Sequence, residues 1–113
     1  MKNFIDKFKL KNKKAFIFGG CGLIGKEIAK SFVEAGANTF VFDNNVLQGK
    51  NIEKKFPKKK FKFIEINLAD LKNIDINFKK FMKNLGFPDT FVNCSYPITK
   101  DWSKSSFIEN NLK

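Results

Sequence analysis

Phe16-Ile17-Phe18-Gly19-Gly20-Cys21-Gly22-Leu23-Ile24-Gly25-Lys26-Glu27-Ile28-Ala29 decides how the rest of the chain folds. An apolar run enters it, glycines recur at every third position through Gly19, Gly22 and Gly25, and an amphipathic pattern of helical spacing leaves it. This reads as a buried strand, a tight turn and the start of a helix. Gly19 permits a turn that a side chain would forbid. Gly22 lets main-chain N–H groups come close to a bound group, and Gly25 lets the helix pack tightly on the strand. The helix N-terminus carries partial positive charge and unpaired donors, which suit a pyrophosphate. The other reading of the same residues is a strand-to-helix turn that binds nothing.

Working outward, residues 1–13 form a short helical or extended lead-in, with Phe4, Ile5 and Phe8 on one helical face. Lys14–Phe18 is the first strand. Leu23, Ile24, Ile28 and Phe32 predict the buried stripe of a helix that ends at Ala35, with Gly36 as its C-terminal cap. Thr39–Phe42 is a second strand ending at Asp43. Asn44 or Asn45 caps a helix over Val46–Phe56, which Pro57 stops. Phe61–Ile66 is a third strand. Asp70 then caps a helix over Leu71–Leu85, in which Phe78, Phe81, Met82 and Leu85 are core residues. Thr90–Asn93 is a fourth strand. Ser106-Phe107-Ile108-Glu109 matches a capping box and opens a fourth helix as the sequence stops.

Strands alternating with helices imply parallel β-α-β units with right-handed crossovers. The expected fold is α/β, a Rossmann-type doubly wound parallel sheet, truncated at about four strands in the order 3-2-1-4. At 113 residues the chain holds one core and is too short for two domains. Residues 1–113 therefore read as a single dinucleotide-binding unit.

Composition narrows the partners. The net charge is +11, yet all 22 basic residues are lysine, with no arginine and no histidine. Arginine supplies the bidentate contacts of specific nucleic-acid recognition, so its absence argues against that class. Lys58-Lys59-Lys60 reads as a loop, and the charge as a solvated surface that helps phosphorylated molecules approach. No apolar run reaches the roughly 20 residues of a membrane span, and the N-terminus does not resemble a signal peptide, so a cytoplasmic protein is expected. Cys21 and Cys94 lack metal-ligand spacing. They read as reduced small packers, though both follow strands and a thiol pair along one sheet edge is conceivable.

In a parallel sheet of this order, ligands bind at the C-terminal ends of the strands, where Gly19–Gly25, Asp43, Asn67 and Asn93–Tyr96 all fall. Main-chain groups of Gly19, Gly20, Cys21, Gly22, Leu23, Ile24 and Gly25 are the expected diphosphate cradle. Asp43 lies eighteen residues past Gly25, where an acid accepts both hydroxyls of an adenosine ribose. A carboxylate there repels a 2′-phosphate, so NAD is expected over NADP. Asn44 leaves some tolerance at that position, and Asp43 has the alternative task of capping the next helix. Asn67 and Leu68 are placed to reach the adenine edge. Asn93, Cys94, Ser95 and Tyr96 are placed toward the nicotinamide or substrate side.

These residues resemble the N-terminal half of the short-chain dehydrogenase/reductase family. The lead strand, the glycine turn, Asp43 and Asn67-Leu68-Ala69-Asp70 all match its pattern. Val92-Asn93-Cys94-Ser95-Tyr96-Pro97 followed by Thr99-Lys100-Asp101-Trp102 is similar to a segment of oxidoreductases implicated in flagellin modification and surface-sugar biosynthesis. Cys94 departs from the family, standing where its second cofactor-segment asparagine would be. The resemblance implies hydride transfer between a nicotinamide cofactor and a small alcohol or carbonyl substrate, conceivably a sugar or nucleotide sugar.

Family members work through a serine and a Tyr-x-x-x-Lys pair. Tyr96-Pro97-Ile98-Thr99-Lys100 spells that pair literally, but the real one needs two helical residues after a fifth strand. Tyr96 directly follows the fourth strand and precedes a proline that disfavours helix. The catalytic set is therefore expected beyond Lys113, making this the cofactor half of an enzyme, inactive alone. The alternative is a non-catalytic dinucleotide-binding module, or a half-enzyme completed by a partner chain. The uncovered fourth strand would invite a second copy or a complementary chain.

Overall fold

A computed structural model describes residues 3–95. After a single 3-10 turn, Ile5–Phe8, the elements run β1 (Lys14–Phe18), α1 (Leu23–Glu34), β2 (Asn38–Asp43), α2 (Val46–Glu53), β3 (Phe61–Glu65), α3 (Ile74–Leu85) and β4 (Thr90–Asn93). All strand pairs are parallel, in the order β3-β2-β1-β4. This is the doubly wound arrangement expected from the alternation of strands and helices.

The centre of the sheet explains why β1 reads as a continuous apolar run. Ala15, Phe16, Ile17 and Phe18 are each at most 1% exposed, because both faces of β1 are covered. Ile17 packs with Val41, Ala29, Ile52 and Phe61, beneath Ile28, Phe32 and Val33 of α1. Phe16, Phe18 and Phe42 form the opposite cluster with Ile66, covered by Phe78, Phe81 and Leu85 of α3. Phe18 is sandwiched in that layer. Its ring stacks on Phe42 at 4.4 Å and on Phe78 at 5.0 Å.

Three helix expectations change. Leu23 and Ile24 are 83% and 72% exposed, so the buried face of α1 is Gly25, Ile28, Ala29, Phe32 and Val33 instead. That face is rotated because Gly25 must lie against the glycine turn. α2 ends at Glu53 rather than Phe56. Lys55 and Phe56 make three-residue-back bonds to Ile52 and Glu53, a tightening that carries the chain toward Pro57. α3 starts at Ile74 rather than Leu71, and Asp70 is not its N-cap; the Asp70 carboxylate accepts from the Asn73 amide at 2.9 Å within an irregular turn. Phe4, Ile5 and Phe8 stay 63–71% exposed and bury nothing, although the Phe4 and Phe8 rings meet edge-on at 5.1 Å.

The end of α1 follows its sequence signal. Gly36 has φ +99, its N–H donates to the Val33 carbonyl, and the Ala37 N–H donates to that of Phe32. This pair of bonds is a Schellman closure, and a left-handed residue is what it requires.

The two sheet edges differ. On β3 the Phe63 N–H donates to Glu53 Oε2 at 2.7 Å, so a side chain from α2 covers an edge donor. β4 pairs with β1 alone among the described residues. Beside it Phe91 is 51% exposed, and a groove of about 540 Å³ runs along α3 past Phe78, Met82 and Phe87. Met82 thus borders this groove rather than the core.

Candidate functional site

The turn between β1 and α1 is built from glycines with different physical reasons. Gly19 has φ +73, and a Cβ there would stand 2.5 Å from the Ser95 nitrogen, against the backbone leaving β4. A Cβ on Gly20 would lie 2.4 Å from Val41 Cγ1, and one on Gly25 would lie 2.2 Å from the Gly19 carbonyl oxygen. These three positions are closed by the protein's own packing. Gly22 is not. Its nearest neighbour would be the Gly19 oxygen at 3.6 Å, an ordinary contact, and its φ is −75. Gly22 is exposed, is the N-cap of α1, and lines the cleft.

That cleft, of about 680 Å³, lies across the C-terminal ends of the strands. Gly19, Gly22, Asp43 and Asn44 line one side; Asn67, Leu68, Cys94 and Ser95 line the rest. Eight of the expected binding residues are thus brought together. Gly20, Cys21 and Gly25 are buried behind the turn, Leu23 and Ile24 are exposed at the head of α1, and Asn93 shapes the loop after β4. Tyr96, with Lys100 and the capping box at Ser106–Glu109, lies outside the described residues. Ile66 and Ala69 also line the cleft and were not anticipated. Ile66 was read as the last residue of a strand, but it lies just past β3 and is 4% exposed. The apolar residue following a strand was the available signal.

Three of the four strands end in the same local chemistry. The Asp43 Oδ1 accepts from the Asn45 N–H, the Asn67 Oδ1 from the Ala69 N–H and the Asn93 Oδ1 from the Ser95 N–H, each at 3.0 Å. Each is an Asx turn, in which a side chain stands in for a backbone carbonyl and folds the chain outward. Asn45, rather than Asp43, caps α2, its Oδ1 accepting from the Gln48 N–H at 3.1 Å.

Asp43 makes a second connection. Its Oδ2 accepts from the Cys21 N–H at 3.0 Å, tying the end of β2 to the glycine turn. Cys21 is 7% exposed. Burial pushes its thiol up from 9.0 to about 12, with the Asp43 charge and a hydrogen bond to that carboxylate adding to the effect. It is therefore a neutral thiol at physiological pH. Both cysteines are free, and no group of His, Cys, Asp or Glu among the described residues could hold a metal ion. No helix among them is long and apolar enough to cross a membrane.

A Rossmann-type half-sheet with a glycine turn, an acid at the end of β2 and a cleft over the strand ends defines a class. The short chain dehydrogenase family matches residues 13–103, and the chain belongs to it. The post-translational flagellin modification protein A of Campylobacter coli is 28% identical over 104 residues, covering 88% of this chain. The resemblance noted over Val92–Trp102 is thus to the kind of protein that most of the sequence resembles. The 2-keto-3-deoxy-D-gluconate dehydrogenase of Streptococcus agalactiae superposes over 84% of this chain with TM-score 0.70 and 27% identity. The L-sorbose reductase of Gluconobacter frateurii, solved with NADPH and L-sorbose, covers 81% with TM-score 0.66 and 21% identity, a likeness of fold. This chain spans 40% of the length of the Campylobacter protein and 36% of each of these two structures.

Proposed function

We propose that this chain is the NAD-binding part of a short-chain oxidoreductase acting on an alcohol or carbonyl substrate, in which residues 1–113 bind the cofactor without turning substrate over. The observation that carries the reading is Gly22. Every neighbouring glycine of the turn is demanded by the protein's own packing, whereas a side chain at Gly22 would make only an ordinary contact, 3.6 Å to the Gly19 carbonyl oxygen, at the head of α1. A bound diphosphate facing those N–H groups is what would require its absence.

The cleft suits the group. Gly22 and the first amides of α1 would hold the diphosphate, Asp43 the adenosine ribose, Asn67 and Leu68 the adenine edge, and Asn93, Cys94 and Ser95 the nicotinamide side. A nicotinamide ring supplies a hydride donor or acceptor when bound. Among the described residues, none that lines the cleft is basic. With Asp43 the sole charge among those lining residues, a ribose 2′-phosphate would meet a carboxylate there, which favours NAD over NADP. A sugar-related substrate is consistent with the flagellin-modification relative.

Calorimetric titration with NAD and NADP tests the reading on wild type and Asp43→Ala. The expected result is NAD binding, weaker NADP binding, and loss of that preference in the variant. A folded sample that binds neither at millimolar concentration overturns the proposal.

A further inference from the structure

We infer that the β4 edge and the flank of α3 beside it form a self-complementary interface, on which a second copy of this chain pairs its own β4 antiparallel about a two-fold axis at Phe91. The two edges of the sheet are unequal. β3 carries a guard, the Glu53 carboxylate on the Phe63 N–H at 2.7 Å, whereas among the described residues β4 pairs only with β1. The Cys94 N–H donates to the Phe18 carbonyl and the Gly19 N–H to that of Phe42. Such bonds alternate from side to side along a strand, so Phe91 and Asn93 turn their N–H and C=O groups away from β1. A two-fold at Phe91 lets each Phe91 donate to and accept from its counterpart, the hydrogen-bonded pair of an antiparallel ladder. Groups left outward in this way are a template for another chain.

The side chains favour a second copy over an unrelated strand. Phe91 is 51% exposed, and its ring lies 4.8 Å from that of Phe18 and 6.2 Å from that of Phe78, so it stands on the α3 face. Residues directly opposite in an antiparallel pair share a face, so the two Phe91 rings meet. Beside them the groove along α3 adds Met82 and the 79%-exposed Phe87 as apolar surface. That groove is charged at both ends, with Asp75 in the first turn of α3 and Lys83 in the last. The axis sets the two α3 helices antiparallel, so each Asp75 faces Lys83 of the second copy. Lys79, between them, is already paired with Asp75 of its own helix at 3.3 Å. The strands of the two copies run in opposite directions, so the two clefts open at opposite ends and association leaves both free.

Sedimentation equilibrium on the 113-residue chain, without cofactor, is the test. Wild type should associate to twice its 13.0 kDa mass. Phe87→Lys, at a position too exposed to matter for folding, should raise the dimer dissociation constant by about tenfold or more, since it sets an unpaired charge in the apolar groove. Lys83→Asp should weaken association by about tenfold, because one substitution brings like charges together at both symmetry-related contacts. Adding Asp75→Lys to that variant should restore the wild-type constant. Circular dichroism checks that each variant is folded. Wild type that stays monomeric at millimolar concentration overturns the inference in favour of a different occupant. A dimer indifferent to Phe87→Lys, or one that the charge swap does not restore, overturns the placement of the interface on this face. Neither failure touches the cofactor reading.

Discussion

Gly25 and Gly19 touch so closely that a single methyl group would not fit between them: a Cβ on Gly25 would stand 2.2 Å from the Gly19 carbonyl oxygen and 2.8 Å from the Gly20 Cα. Both obstacles are backbone, so nothing flexible can give way. Gly25→Ala should lower stability by about 3 kcal/mol or prevent folding, at the upper end of overpacking costs. Gly22→Ala should cost no more than about 1 kcal/mol, the loss of a tolerable N-cap, yet abolish NAD binding. Urea melts and cofactor titration on the two variants separate a fold-required glycine from a ligand-required one.

Removing the Phe63 edge contact tests the guarding of β3. Glu53→Ala leaves the Phe63 N–H without its acceptor, which should cost about 1–2 kcal/mol. The uncovered edge should also raise light scattering on storage, since an unpaired strand donor is a template for association. Unchanged melts and scattering would remove Glu53 from that task.

Phe18 lies between two stacked rings and is 1% exposed. Phe18→Ala should cost about 3–5 kcal/mol through the cavity and the lost stacking, enough to unfold a domain of this size. Phe18→Leu should retain most of the fold, and circular dichroism during urea titration reads both.

Stability should fall as pH rises from about 9 to 12, in part through Cys21. Its folded value of about 12 lies above its ordinary 9.0, so the unfolded chain loses that proton first. The stabilisation is complete below pH 9 and disappears as pH climbs through the folded value. The measurement is the difference between wild type and Cys21→Ala. The gap in their melting midpoints, taken as wild type minus variant, should shrink between pH 8 and pH 11.

The strand order and the cleft were legible because they rest on short-range signals. The apolar run Phe16–Phe18, the glycines after it and the Gly36 stop each impose local geometry that tertiary packing then uses. The exposure of Leu23 and Ile24 was hidden, because helical periodicity marks an apolar stripe without saying which rotation the first turn takes. Here the contact of Gly25 with Gly19 sets that rotation, a relation between backbones with no composition signal. The late start of α3 was hidden for a similar reason: Asp70 has the chemistry of a cap but spends it on Asn73. Asp43 was weighed between a ribose and a helix cap. Its bond to the Cys21 N–H is a third task, visible only once β2 and the glycine turn are adjacent.

The turns at Asp43, Asn67 and Asn93 bear on how a guest would be received. Each bend is enforced by a side chain acting on the amide two residues ahead, so the mouth of the cleft is shaped without help from whatever enters it. Little protein entropy remains to be surrendered on association, and the loss of freedom falls chiefly on the incoming molecule. Damage to one bend would blunt a single lip and leave the other two standing.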